Sequence, residues 1–465
     1  MAGALDVLPG ALAIRKAELP RLRTVAAALR GEFEESYMPK QYDDEYKSMR
    51  EKSIANWLPL IVDVVAENLF VEGYRRPESG DDLSVWAVWT ANKLNMYQSA
   101  VHRGALAFGR SFVTVLPGDP FPVVQSGPAT SWTVAYAEPS DEWPMWGLRR
   151  LRSVKMFDGG DGTQFELLDA VSISVVNVPG DGTSLEDVDA VEIVSTNAHG
   201  MGVCPIVRFM NRLPLEEGAD PVGEVAPLIP IQLRLNETTL GLIMAQHYSA
   251  FRQRWATGIN IPRDPKTGVA IEPFKAAVNR LWMTDSKDAS FGEFNQTDLS
   301  GFLSSLEAGV KHMAAIAQVP PHYLLGAMVN ISAEALTAST AGLKHKTDER
   351  QTLFGESWGQ VFRLIAAAMG DIATAEDTTS RVVWRDTESR SLPATVDGLG
   401  KASQMLGIPG EGLWSRIPGV TSEDVRYWRK LKDDAAVGAA MAEFFTGGAG
   451  TAPTGALPAG TGPVV

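Results

Sequence analysis

Apolar residues recur at three- and four-residue spacing over several long stretches of the chain, separated by a middle third of short β-rich runs. Residues 1–41 read as one helix followed by a loop. From Asp43 to Leu69 a helical pattern sets in, with Ile54, Leu58, Ile61, Val65 and Leu69 at three- and four-residue spacing. A further helical stretch, Gln98 to Phe108, stops at Gly109, a predicted C-cap, and Ser111 to Leu116 follows as a strand. Between about 111 and 210, runs such as Trp132–Tyr136, Ser172–Val178 and Val191–Ser195 alternate with turn clusters at Asp158–Gly162 and Gly180–Gly182. This pattern predicts a meandering sheet.

The pattern from Glu224 to Arg252 is one long helix, with Leu228, Ile231, Leu235, Leu242 and Ala245 on one stripe and Pro227 and Pro230 near its start. Its predicted length is about 43 Å at 1.5 Å per residue, against about a dozen residues for an ordinary globular helix. A turn-rich segment, Arg254 to Gln296, contains a clear turn at Asp264–Gly268, and a second helix, Asp298 to Gln318, then returns. A helix that runs out, a small subdomain at its tip and a helix that comes back is a layout foreign to most compact enzymes. Beyond Pro320-Pro321, a loop at Leu325–Ile331 leads into another long helix, Ser332 to Met369, with Ser332 as N-cap, Glu334 in the first turn and Gly370-Asp371 at its end. A strand at Arg381–Arg385 and two or three helices between Leu392 and Phe445 complete the fold, which is α+β and mostly helical. The last twenty or so residues, rich in Gly, Ala, Pro and Thr and free of charge, predict a flexible tail.

At 465 residues the chain exceeds one ordinary core and divides into two or more packed regions. Its 42 Lys+Arg against 56 Asp+Glu give a net charge of −14, so it does not wrap DNA through a phosphate-neutralising surface. The single cysteine, Cys204, excludes an intrachain disulfide and reads as a small buried hydrophobe beside Pro205 and Ile206. No basic n-region opens the chain, and Asp6 interrupts the first apolar stretch, so no signal peptide is expected. The most apolar segment, Leu58 to Val71, carries Asp63 and Glu67 and falls short of the roughly 20 residues a membrane span needs.

A search for chemistry finds near-misses only. Gly398–Ser403 is similar to a phosphate loop, but Thr395 stands where the first Gly belongs, Ala402 replaces the magnesium-binding hydroxyl, and no strand precedes it. Asp158–Gly162 lacks a calcium ligand at Gly160 and reads as a plain turn. The 6 histidines (His102, His199, His247, His312, His322, His345) show no zinc-ligand spacing and read as surface or packing residues. The run Arg426, Arg429, Lys430 and Lys432 reads as an exposed helix face paired with nearby carboxylates, and Asp43-Asp44-Glu45 as a solvated helix start. No catalytic residue, metal site or cofactor is expected.

Several stretches, in order, resemble the portal proteins of long-tailed double-stranded DNA phages, above all those infecting actinobacteria. They are Trp86–Asn92, His102–Arg110, Pro205–Arg212, Ala250–Gly258, Phe291–Phe294 with Asp298–Gly301, Pro320–Gly326, Ser332–Leu336 and Phe354–Trp358. The resemblance covers roughly residues 40 to 440 and implies a portal fold that assembles into a ring of about twelve copies. It implies a wing (1–223, with 332–390 adding a long helix and strand), an outgoing stem helix (224–252), a clip (253–297), a returning stem helix (298–318), a tunnel loop (319–331), a crown (391–446) and a tail (447–465). The tunnel loop would present Gly326, Ala327, Met328, Val329, Asn330 and Ile331 toward DNA, with Lys311 and His312 as weak channel contacts. Arg263, Lys266, Lys275, Arg280 and Lys287 of the clip would face the packaging motor. Implied partners are other copies of the chain, the major capsid protein and scaffold, the terminase large subunit, head–tail adaptors and the DNA in transit, with no membrane. The virion, at the portal vertex, is the implied location. Another head–tail structural protein and a cytoplasmic enzyme are the competing readings.

Overall fold

In the computed structural model the described residues are 2–33, 43–76, 80–81, 83–185, 187–216, 219–250, 254–258, 263, 265–268, 288–293, 298–326, 333–385, 392–420 and 422–447. They fall into two compact units, residues 1–382 and 383–465. Of the expected tail, Gly447 still belongs to the last helix and 448–465 lie outside the described residues, as does Ser332.

The first unit opens with helix α1 (Ala2–Leu29), then α2 (Asp43–Ser53) and α3 (Leu58–Ala66). The helical pattern over 43–69 is therefore carried by two helices. Pro59 sits in the first turn of α3, where its missing N–H does no harm. The break at 54–57 is held by its own Asn56 and by Gln232 from far along the chain. Asn56 donates to Ala28 O at 2.8 Å, Gln232 Nε2 donates to Ala55 O at 2.7 Å, and Gln232 Oε1 accepts from Trp57 N at 3.1 Å. Backbone groups that a continuous helix would have paired are thus satisfied in another way.

Next come β1 (Val71–Arg76), β2 (Gly80–Asp81), α4 (Leu83–Ala91) and α5 (Leu94–Phe108), and α5 ends at Gly109 with φ 91°, the expected left-handed cap. Strands β3 (Arg110–Leu116) and β4 (Val123–Pro128) follow, then the antiparallel meander β5 (Trp132–Ala135), β6 (Trp146–Lys155), β7 (Asp161–Leu168), β8 (Ser172–Pro179) and β9 (Glu192–Ala198). Strand β10 (Ile206–Met210) returns to pair with β3, giving a second sheet ordered β10-β3-β4. Leu8 and Leu12 of α1 bury against Leu148, Phe165, Leu167, Val176 and Val178 of the meander. Cys204 is buried with Phe112, Trp132, Leu168 and Ile206, and burial pushes its thiol pKa up, so it is inert packing as expected. The turn at 158–160 is an Asx turn in which Gly160 N donates to Asp158 Oδ1 at 2.8 Å.

The remaining elements of this unit are α6 (Ile229–Ala250), β11 (Arg254–Thr257), β12 (Ser290–Glu293), α7 (Ser300–Ala317), α8 (Pro321–Leu325), α9 (Ala333–Met369), α10 (Ile372–Ala375) and β13 (Arg381–Trp384), in which the unit ends. The C-terminal half of α9 enters an aromatic core. Trp358 stands edge-on to Trp89 at 4.8 Å and to Phe209 at 4.8 Å, and Phe362 stacks on Tyr74 at 4.3 Å. His102 is wholly buried there, with Nδ1 donating to Leu69 O at 3.1 Å and Nε2 accepting from Trp358 Nε1 at 2.9 Å. Burial lowers its pKa to about 3, so it packs as a neutral ring.

In the second unit, α11 (Leu392–Leu406), α12 (Gly410–Leu413) and α13 (Ser422–Gly447) follow one another, with Trp414 edge-on to Trp428 at 6.0 Å. Residues 398–403 lie inside α11, so its glycines form no phosphate-cradling loop. Lys432 pairs with Glu411 and Arg426 lies 4.0 Å from Glu423, the paired helix face read from the sequence.

Candidate functional site

The outgoing helix is shorter than its pattern suggests. Glu224 and Val225 precede a single 3₁₀ turn, Ala226–Leu228, and α6 proper spans 22 residues, about 33 Å. Pro227 and Pro230 account for this entry, since neither can donate to a preceding turn. Helix α7 returns antiparallel along α6. Gly309 faces Leu235 and Gly241 faces Phe302, and a methyl group on Gly309 would overlap the Leu235 side chain. At the far end the two helices lead to an antiparallel strand pair, with Arg254 opposite Glu293 and Thr257 opposite Ser290. At the near end α7 closes on Gln318 in the left-handed region, φ 55°.

At this root lies a buried charged node. Glu224 Oε2 accepts from Lys346 Nζ at 2.8 Å; Glu224 Oε1 accepts from Arg350 Nη2 at 3.2 Å and from Asn211 Nδ2 at 3.1 Å, with Arg212 at 3.6 Å. Arg350 is 0% exposed, and each of its nitrogens has an acceptor: Nε on Asn211 Oδ1 at 2.7 Å, Nη1 on Glu349 at 2.7 Å and Nη2 on Glu224. Lys346 also donates to Ala317 O at 2.8 Å, at the C-terminal end of α7. The node therefore joins four elements: the end of β10, the approach to α6, the end of α7 and the middle of α9.

The backbone is built to bring Glu224 there. Segment 221–224 crosses the end of α5 so closely that a Cβ on Gly109 would strike Pro221 O and one on Gly223 would strike Ala107 O. Glu224 N donates to Leu106 O at 2.7 Å and Asn211 N to Gly109 O at 2.9 Å. Burial alone pushes the Glu224 carboxyl pKa up, but Lys346, Arg212 and Arg350 outweigh it and hold the group below the ordinary carboxylate range. Burial, together with Arg350 and Arg212, holds the Lys346 ammonium below the ordinary lysine value despite Glu224. The carboxylate is thus governed by the cations around it, and the ammonium chiefly by burial.

The residues singled out from the sequence are less concentrated. Lys311 and His312 lie on the exposed face of α7, opposite buried Val310, Met313 and Ala314, and Lys311 pairs with Glu307 at 2.7 Å. Arg263 is exposed and donates to Gly268 O at 3.2 Å, and Lys266 is exposed in the neighbouring turn. Lys275, Arg280 and Lys287 lie outside the described residues. Gly326 caps α8 with φ 66°, while Ala327, Met328, Val329, Asn330 and Ile331 lie outside the described residues. Among the described residues no cluster of His, Cys, Asp or Glu could hold a metal, and no helix is long and apolar enough to cross a membrane. The node itself escaped the sequence reading. Its one sequence signal is Lys346 and Arg350 at i, i+4, which reads equally well as a solvated face.

The described geometry is thus a helix pair with a strand pair at one end and a buried polar root at the other. The chain belongs to the family of phage portal proteins, SPP1 Gp6-like, whose sequence pattern matches residues 11–438. The portal protein of Mycobacterium phage D29 is 26% identical over 378 residues, covering 77% of this chain and 73% of that one. The portal protein of Mycobacterium phage L5 is 25% identical over 393 residues, with the same coverage of 77% and 73%. A solved chain from the neck of a native GTA particle, computed with C12 symmetry, aligns over 88% of this chain and 98% of its own at 9% identity and a TM-score of 0.43. A likeness that low carries no argument.

Proposed function

We propose that the chain forms a ring of about twelve copies at one capsid vertex, through which double-stranded DNA is packaged and later ejected. Membership of the portal family carries this reading. The α6–α7 pair serves as the stem wall, the β11–β12 end as the base of the clip, residues 319–331, Gly326 among them, as the tunnel loop and the C-terminal helices as the crown. Terminase large subunit and head–tail adaptors dock at the clip, where Arg263 and Lys266, with Lys275, Arg280 and Lys287, supply charge. The major capsid protein and scaffold surround the wing. The ring is a virion component without catalysis of its own, and its motor supplies the energy.

A conduit must not grip its cargo. At −14 per chain a twelve-fold ring carries roughly −170, which disfavours tight phosphate binding. The Glu307 partner of Lys311 likewise tempers that lysine as a phosphate contact. Native mass spectrometry with negative-stain microscopy on the full chain tests the proposal: rings with a central hole are expected, and a chain that stays monomeric at high concentration overturns it. Neutralising the five clip cations should weaken motor or adaptor binding while leaving the ring intact.

A further inference from the structure

Two opposite helix ends meet at the root of the α6–α7 pair. The N-terminal approach to α6 carries Glu224, and the last carbonyls of α7 face Lys346 through Ala317 O at 2.8 Å. A helix N-terminus favours an anion and a C-terminus a cation, so the Glu224–Lys346 pair suits both ends at once. Lys346 and Arg350 lie one turn apart on α9 and take separate oxygens of the same carboxylate. Their side chains are 1% and 0% exposed and that of Glu224 is 4% exposed. Charged hydrogen bonds at this depth are directional, and shifting α9 along its axis by a fraction of a turn would leave a buried charge unpaired.

We infer that Glu224, Lys346 and Arg350 are positioning residues that form a register latch, so that α6, α7 and α9 move as one body. The first third of α9, which precedes Lys346, begins directly after residues 327–332. A displacement imposed at the β11–β12 end of the helix pair therefore reaches that segment through the latch. The latch rests on the contacts alone; its use in signalling between clip and tunnel loop rests on the portal reading.

The test is hydrogen exchange on the full-length chain, followed at the amides of 314–319 in α7 and 343–350 in α9. Amides of 164–177 in the meander serve as the internal control. Glu224→Gln and Lys346→Met should each speed exchange about tenfold in both helices together and leave the meander unchanged. The double variant should be no faster than either single one, because both break the same latch. Acceleration confined to one helix, or single effects that multiply in the double variant, would overturn the inference. Arg212→Gln, at the half-exposed edge of the node, serves if the buried variants do not fold. A rise of about twofold in both helices is then expected, and no rise, or a rise in one helix only, overturns the latch. Native mass spectrometry on the same samples reads ring formation separately. Coupled exchange in a chain that never forms rings keeps the latch and removes the portal-ring reading.

Discussion

Helix α9 is held in its unit by contacts of which two rest on opposite chemistries. Its C-terminal half presents Phe354, Trp358 and Phe362 to Tyr74, Trp89, His102 and Phe209, while Lys346 and Arg350, two turns earlier, enter the charged node around Glu224. The aromatic anchor supplies stability chiefly through dispersion and apolar burial, with the buried Trp358–His102 hydrogen bond as a directional contact within it. The node adds little net stability, because desolvating its charges offsets most of their attraction. It does make misplacement costly. One anchor sets how firmly α9 is held and the other sets where.

The largest expected effects separate the two. Trp358→Ala removes the centre of the aromatic anchor and leaves His102 Nε2 without its donor, a loss of about 4 kcal/mol. Arg350→Met strips three hydrogen bonds from the node and leaves Asn211 and Glu224 short of a buried partner, a loss of about 3 kcal/mol. Denaturant titration measures both. The comparison predicts that Trp358→Ala lowers stability with little change in which amides open together, whereas Arg350→Met uncouples α7 from α9 while the aromatic core stays protected. Identical exchange patterns in the two variants would merge the anchors into one.

Acid separates them next. The buried His102 ring has its pKa lowered from 6.5 to about 3. Between those values the unfolded chain binds a proton that the folded chain refuses, so stability falls as pH drops from 6.5 toward 3. By pH 5 the loss is about 2 kcal/mol. Glu224, held below the ordinary carboxylate range, contributes its full share above that range and loses it only as pH falls below. At pH 5 the aromatic anchor is therefore weakened while the node is intact. Melting temperatures of the wild type and of His102→Gln, followed from pH 7 to pH 5, check this. The wild type should decline more steeply, and parallel curves would show that His102 does not titrate through folding.

The same contrast explains what the sequence could disclose. The returning helix, the Gly109 cap and the meander are all written in local periodicity and turn residues, and all are present. The break at 54–57 has a local signal in Pro59, which cannot continue a helix across Ala55, although Ile54, Leu58 and Ile61 carry the helical spacing straight through it. What satisfies the backbone groups at the break, Gln232, lies far along the chain and has no such signal. Nothing local marks Glu224, Lys346 and Arg350 as buried, since burial of a charge depends on partners brought together by the whole fold. The apolar half of the architecture is legible at short range. The polar half, which places one element against another, is not.

The smallest expected effect sharpens the point about depth. Lys311 and Glu307 form an i, i+4 pair at 2.7 Å, as close as the Lys346–Glu224 contact, but their side chains are 54% and 57% exposed. Water screens such a pair and already solvates both groups, so Lys311→Ala should change stability by no more than about 0.5 kcal/mol. Thermal melts at low and high salt check the value, and salt should erase what difference there is. Contact distance is then the same at both sites while the consequence of removal differs several-fold, which assigns the node's hold on α9 to burial rather than to ion pairing as such. An effect at Lys311 as large as that of Arg350→Met would remove this distinction, and with it the reason for treating the node as the element that sets register.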